Sequence, residues 1–157
     1  MNTVILNDEL KITYPDSFIE RNEQEKAGMN FYGNIPDLCL NDPEKHITIS
    51  VAFKKYGAAA AALANQKGTV KSMSKKTAGL MKEFNFRSGG FITQKIGAFT
   101  ADGFVYSYEA QGIDMLGRSF VVKSGRTFYY IHCYYRAELE KESEAVIDGI
   151  LSGKDNN

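Results

Sequence analysis

The chain has 157 residues, of which 43% are hydrophobic and 24% charged; this balance suits one domain with a substantial core and excludes general disorder or a coiled coil. Lys plus Arg and Asp plus Glu both total 19, so the formal net charge is zero, and no overall field draws the protein to nucleic acid or to an anionic membrane. No apolar run approaches the roughly 18 residues of a membrane-spanning helix, which argues against membrane insertion.

Thr3–Leu6 and Leu10–Tyr14 are short β-rich runs joined by Asn7-Asp8-Glu9, which reads as a hairpin, and Pro15-Asp16 ends its second strand. A polar stretch from Glu20 to Lys26 leads to a strand expected over Met29–Tyr32 and closed by Gly33-Asn34. Asp37–Leu40 and His46–Phe53, joined by the turn formers Asn41-Asp42-Pro43-Glu44-Lys45, make a second hairpin. The alanine run from Ala58 to Ala62 then opens a helical segment that continues to about Phe84. Gly68 followed by Thr69, a tolerable N-cap, is the expected place for it to split into two helices. In the second half Val70, Met73, Thr77, Leu80, Met81 and Phe84 share one face at period 3.6, the face that packs on a sheet.

From Gly90 onward the pattern is a β-meander over Phe91–Ala98, Phe104–Ala110, Arg118–Lys123 and Thr127–Tyr135. Turns are expected at Ala101-Asp102-Gly103, Gly112-Ile113-Asp114 and Ser124-Gly125-Arg126. The last strand is bulky on both sides, with Phe128, Tyr130, His132 and Tyr134 opposite Tyr129, Ile131, Cys133 and Tyr135, as in a strand between two layers. Leu139, Ser143, Val146, Ile147 and Ile150 form the stripe of a final helix that stops near Gly153. The expected architecture is a single α+β domain over residues 1–157: an α/β/α sandwich with a central antiparallel sheet and two main helices.

Ile12-Thr13-Tyr14-Pro15-Asp16-Ser17-Phe18, the long central helix, the strand Phe104-Val105-Tyr106-Ser107-Tyr108 with its meander, and the ending Ala145–Ser152 together resemble the PsbP superfamily of photosystem II extrinsic proteins. That superfamily includes a Ran-binding nuclear transport factor and bacterial effector-loading chaperones. The resemblance spans nearly the whole chain; it implies an α/β/α sandwich and a protein-binding role without catalysis. It carries over no site residues, since members bind unrelated partners through different surfaces and fold does not imply function.

Catalytic motifs are missing or out of context. Gly112-Ile113-Asp114-Met115-Leu116-Gly117-Arg118-Ser119 has P-loop spacing with Arg in place of Lys, but Phe120-Val121-Val122 continues as a strand where a P-loop needs a helix. His46 and His132 belong to no zinc-binding spacing. Cys133 and His132 are adjacent strand residues that point to opposite faces, so they cannot act as a nucleophile pair. No GxSxG string occurs. Cys39 and Cys133 each sit in an apolar strand-like run and read as small buried hydrophobes; a disulfide between them needs their strands side by side. No catalytic residue, cofactor site or metal ligand is assigned, and the chain is read as a non-enzyme. Met1-Asn2-Thr3-Val4 lacks the marks of an export signal, so the expected location is the cytoplasm as written, or outside it if a signal has been trimmed.

Charge and aromatic placement give the partner-binding candidates. Lys67, Lys71 and Lys75 recur every four residues and Lys82 falls on the same side, whereas Glu138, Glu140, Glu142, Glu144 and Asp148 outnumber Lys141 on the final helix. Such stripes are commonly solvated faces; the sharper reading is a basic stripe that docks an acidic protein surface. Tyr106, Tyr108, Tyr130 and Tyr134 are gathered in the meander, where they fill the core or line a face left open by the short C-terminal helix. The expected function is a non-enzymatic protein-binding domain, an adaptor, chaperone-like or assembly factor, with a homodimer among the assemblies it allows. The alternative is a small-molecule or lipid binder with a pocket between sheet and helix.

Overall fold

The structure, a computed structural model, describes residues 1–29 and 34–153. The strand expected over Met29–Tyr32 therefore lies, apart from Met29, outside the described residues. Period-2 runs give β1 (Asn2–Leu6), β2 (Leu10–Tyr14), β3 (Ile19–Glu20), β4 (Leu38–Asp42), β5 (Ile47–Lys55), β6 (Arg87–Ile96), β7 (Phe99–Ala110), β8 (Ile113–Ser124) and β9 (Thr127–Arg136). Four α-helices are described: α1 (Glu23–Ala27), α2 (Ala58–Leu63), α3 (Gln66–Leu80) and α4 (Glu140–Leu151).

Seven strands form one antiparallel sheet in the order β3-β4-β5-β9-β8-β7-β6. The central strand β9 is sealed on both faces, as its bulky alternation requires. Tyr129, Ile131, Cys133 and Tyr135 join Ile147, Ile150 and Leu151 of α4 in the larger core, while Phe128 packs with Val70 and Met73 of α3 in the smaller one. This is the α/β/α sandwich, with α3 on one face and α4 on the other. The β1–β2 hairpin makes a separate two-stranded sheet on the α4 side, where Leu6, Leu10, Ile12 and Tyr14 are buried in the larger core. Asn7 and Asp8 both adopt positive φ in its turn, which short polar residues tolerate best. Tyr129 Oη donates to Glu9 and accepts from Asn7, and Ser124 Oγ donates to Glu9, so side chains moor the hairpin to the sandwich.

Several expectations are corrected. The polar stretch after Glu20 contains helix α1, whose N-cap Asn22 accepts from the Glu25 amide while the Glu25 side chain accepts from the Asn22 amide. The central segment splits at Ala64-Asn65 and not at Gly68, because the Asn65 side chain caps α3 by accepting from the Gly68 amide at 2.7 Å. That bond places Gly68 inside the first turn of the helix. Ordinary α-helix ends at Leu80 and Lys82–Phe84 form a 3-10 turn. Val70, Met73 and Thr77 are buried as the periodicity requires, but Leu80 is 68% and Phe84 50% exposed. The first meander turn falls at Gly97-Ala98, and Ala101-Asp102-Gly103 runs within β7. Gly103 is there for close approach: a Cβ would meet the Ser119 carbonyl and the Phe120 ring of β8.

Candidate functional site

Helix α3 packs over β7 and β8, on the face that carries the even-numbered tyrosines of the meander. Tyr106 is buried there beneath the helix, in the cluster formed by Val70, Met73, Phe104, Val121 and Phe128. Its ring crosses the backbone of β8 at Gly117, where any Cβ would collide with it. Tyr106 is thus a core residue, which removes it from the exposed candidates. Tyr108, Tyr130 and Tyr134 are half-buried on the same face, with Tyr108 edge-on to Tyr134 and their ring centroids 6.3 Å apart. Burial pushes the Tyr108 phenol up to about 12. The four tyrosines share the α3 side, whereas the short C-terminal helix covers the opposite face; the open face expected beneath that helix is corrected accordingly.

Between α2–α3 and the strands β5 and β9 lies a cleft with an inner hollow of about 150 Å³ and an outer one of about 430 Å³. Tyr56, Thr69, Ser72 and Tyr130 border both. The hydroxyls of Tyr56 and Tyr130 are 2.7 Å apart, and burial, with this bond second, raises the Tyr130 phenol above its ordinary range. The end of α2 is tied to the sheet by Lys123 of β8, whose ammonium donates to the carbonyls of Ala61 and Ala64. A third hollow, of about 320 Å³, lies between α3 and β6 and is bordered by Lys67, Val70, Lys71, Phe91, Ile92 and Asp102. The sequence allowed a pocket between sheet and helix but named none of its residues; Tyr56 follows a strand and precedes the alanine helix with no signal of its own.

Lys67, Lys71 and Lys75 are exposed on α3, and Lys82 is exposed in the 3-10 turn that follows it, off the helical stripe. The structure adds exposed Lys76 beside the inner hollow. Among the described residues none of these five lysines makes an ion pair. The acids of α4 are placed differently. Arg118, projecting from β8, lies 2.8 Å from Glu144 and 3.5 Å from Asp148, and Glu144 also accepts from Tyr135 Oη. Burial raises the Tyr135 phenol, and its bond to Glu144 adds to the shift.

His132 is buried with its Nδ1 2.8 Å from Ser119 Oγ. Burial lowers its pKa to about 4, so the ring is neutral at pH 7 and suits a hydrogen-bonded core residue. Ser119 is fully buried, which keeps this pair from acting as an exposed nucleophile and base. Cys39 and Cys133 are free thiols. Strand β5 separates them, and register puts Cys39 on the His132 face and Cys133 on the other. Burial pushes the Cys133 thiol up to about 12. The P-loop-like string runs along β8 as strand. Among the described residues no helix is long and apolar enough to cross a membrane, and no three His, Cys, Asp or Glu side chains are grouped to hold a metal.

Among solved structures, the chain superposes on PsbP (CyanoP) from Synechocystis sp. PCC 6803 with a TM-score of 0.62 and 9% identity, over 91% of this chain and 84% of that one. The fold is PsbP-like. LpqN of Mycobacterium tuberculosis, described as involved in cell envelope biogenesis, shares the PsbP-like arrangement at a TM-score of 0.59 and 14% identity, over 98% and 87% of the two chains. A point mutant of the protein Mog1 matches at 0.52 and 10% identity, over 98% and 87%. No protein-family model matches the chain, and no curated protein matches it. At these identities the likeness is one of fold.

Proposed function

We propose that this PsbP-like chain is a non-enzymatic protein-binding domain, an adaptor or assembly factor, that takes an acidic partner on the α3 side of its sheet. The observation that carries this reading is the set Lys67, Lys71 and Lys75, exposed on one helix with no ion pair among the described residues. An acidic partner gains orientation and encounter rate from such a field, and the half-buried Tyr108, Tyr130 and Tyr134 offer amphipathic contact area beside it. The resemblance to PsbP proteins points the same way, toward binding without catalysis.

The test is affinity capture of the tagged protein from its native lysate, with mass-spectrometric identification, beside the variant Lys67→Glu, Lys71→Glu, Lys75→Glu. The expected result is one abundant acidic protein captured by the natural chain and lost from the variant. Equal capture by both would sink the reading.

A second reading has its own observation, the cleft at Tyr56 and Tyr130, which opens between helix and sheet where a small molecule or a lipid chain would enter. Ser72 borders both hollows. A fatty acid or fragment that raises the melting temperature of the natural protein but not of Ser72→Trp would establish it; a panel without any such ligand would retire it.

A further inference from the structure

We propose that the outer edge of β6 takes an extended acidic segment of a partner protein as an added strand, with an apolar side chain seated in the hollow between α3 and β6. This rests on the binding reading above and names where and how the partner lies.

The two ends of the sheet are unlike. At one end β3 is only the two residues Ile19–Glu20, too short to template another strand, whereas β6 at the other end runs for ten residues and, among the described residues, pairs with β7 alone. A long edge strand presents unpaired N–H and C=O groups, and proteins blunt such edges unless something covers them. Here the register shift between Ser88 and Gly90 disrupts only the beginning of β6; from Phe91 to Ile96 the pairing with β7 is regular. That stretch is the part able to accept a ladder. Along it Phe91, Thr93 and Lys95 are exposed and alternate with the more buried Ile92, Gln94 and Ile96. Phe91 is 61% exposed although it borders, with Val70 and Ile92, the hollow beside α3, so an added strand would cover a ring that the fold leaves in water.

Charge selects the occupant. Lys67 and Lys71 stand on the helix side of the hollow, and Arg87 and Lys95 lie on β6 itself. The nearby carboxylates are already engaged: Asp102 accepts from Gln66 at 2.7 Å, and Asp148 accepts from Gln94 and lies beside Arg118. A second copy paired edge to edge across a two-fold axis normal to the sheet would set both basic α3 helices on the same side of the joined sheet, where their like charges repel. A segment that alternates apolar and acidic residues meets the same edge with its apolar side chains beside Phe91 and Val70 and its carboxylates beside the lysines. Backbone hydrogen bonds then supply affinity and the hollow supplies selectivity, as in other strand-addition complexes.

The experiment is a selection of random displayed peptides on the natural protein. Fluorescence anisotropy of the best peptide follows, with a scan that N-methylates each of its backbone amides in turn. The expected outcome is enrichment of alternating apolar and acidic residues, slowed amide exchange in β6, and loss of binding on N-methylation at every second position. Lys67→Glu with Lys71→Glu should weaken binding about tenfold, the modest effect expected of two exposed charge contacts. Lysine-dependent binding without the two-residue N-methyl period would overturn the edge while leaving the binding reading in place. Peptides indifferent to reversal of Lys67, Lys71 and Lys75 would overturn both. Selection of no sequence, or a dimer in sedimentation that protects the β6 amides without peptide, would also overturn the edge proposal.

Discussion

The two faces of the sheet are built from the same strands yet finished in different ways. On the α4 side the core is largely aliphatic and continuous, and two of the four acids of the covering helix, Glu144 and Asp148, turn back onto Arg118, with Glu144 also accepting from Tyr135. On the α3 side the core is smaller and richly aromatic, hollows border the helix, and the helix lysines find no anion among the described residues. A face that satisfies its own charges contributes stability; a face that leaves them in solvent keeps them available to something else. Under the proposed function, α4 holds the fold and α3 meets the partner.

The strongest way to break this contrast is to empty each core in turn. Val122→Ala in the larger α4-side core should cost about 2–3 kcal/mol in urea denaturation, and Val121→Ala, the same change in the smaller α3-side core, should cost less. An α3 cost equal to the α4 cost would erase the distinction. Gly117→Ala should destabilise by about 1–3 kcal/mol, since the new methyl must displace the Tyr106 ring; an unchanged melting temperature would show that the ring moves freely. Arg118→Met, which leaves Glu144 and Asp148 facing each other, should cost about 1–2 kcal/mol, with the loss read by urea denaturation at low salt.

A pH series sharpens the view of the α3 face. The His132 pKa is depressed to about 4 in the fold, so the unfolded chain takes up a proton near pH 6.5 before the folded one does. The stabilisation is therefore present above pH 6.5 and is lost as pH falls toward 4, by about 1 kcal/mol between pH 6.5 and 5.5. His132→Gln should flatten that part of the curve. Smallest of all, Lys71→Glu should change stability by less than about 0.5 kcal/mol while it weakens partner binding; a large drop in melting temperature would give the lysine a structural role.

Much of the sandwich was legible because its periodicities are strong. The alternation of residues 128–135 announced a strand between two layers, and the stripe from Leu139 to Ile150 announced the final helix. The lysine spacing was also readable, since residues four apart must share a helix face. The errors have physical causes. Asp102-Gly103 has the chemistry of a turn, but Gly103 is needed inside β7 so that β8 can approach. Gly68 looked like a break, yet the Asn65 cap holds its amide within the first turn. The tyrosine parity was right, but nothing local tells which helix covers which face. Strand order is equally non-local, so the free edge at Phe91 and the cleft at Tyr56 emerge only when the sheet is assembled.

The β1–β2 hairpin is hydrogen-bonded as its own small sheet and joins the sandwich through buried Leu10 and Ile12 and through Glu9, Asn7 and Tyr129. Among the described residues no backbone ladder ties it to the seven strands. Joined by side chains, it should open as one unit when Leu10 and Ile12 leave the core, with the large sheet intact. Its amides should lose protection together, ahead of those in β5, β8 and β9, and this opening would briefly uncover the apolar side of α4, making it the first step by which the folded protein becomes vulnerable to proteolysis.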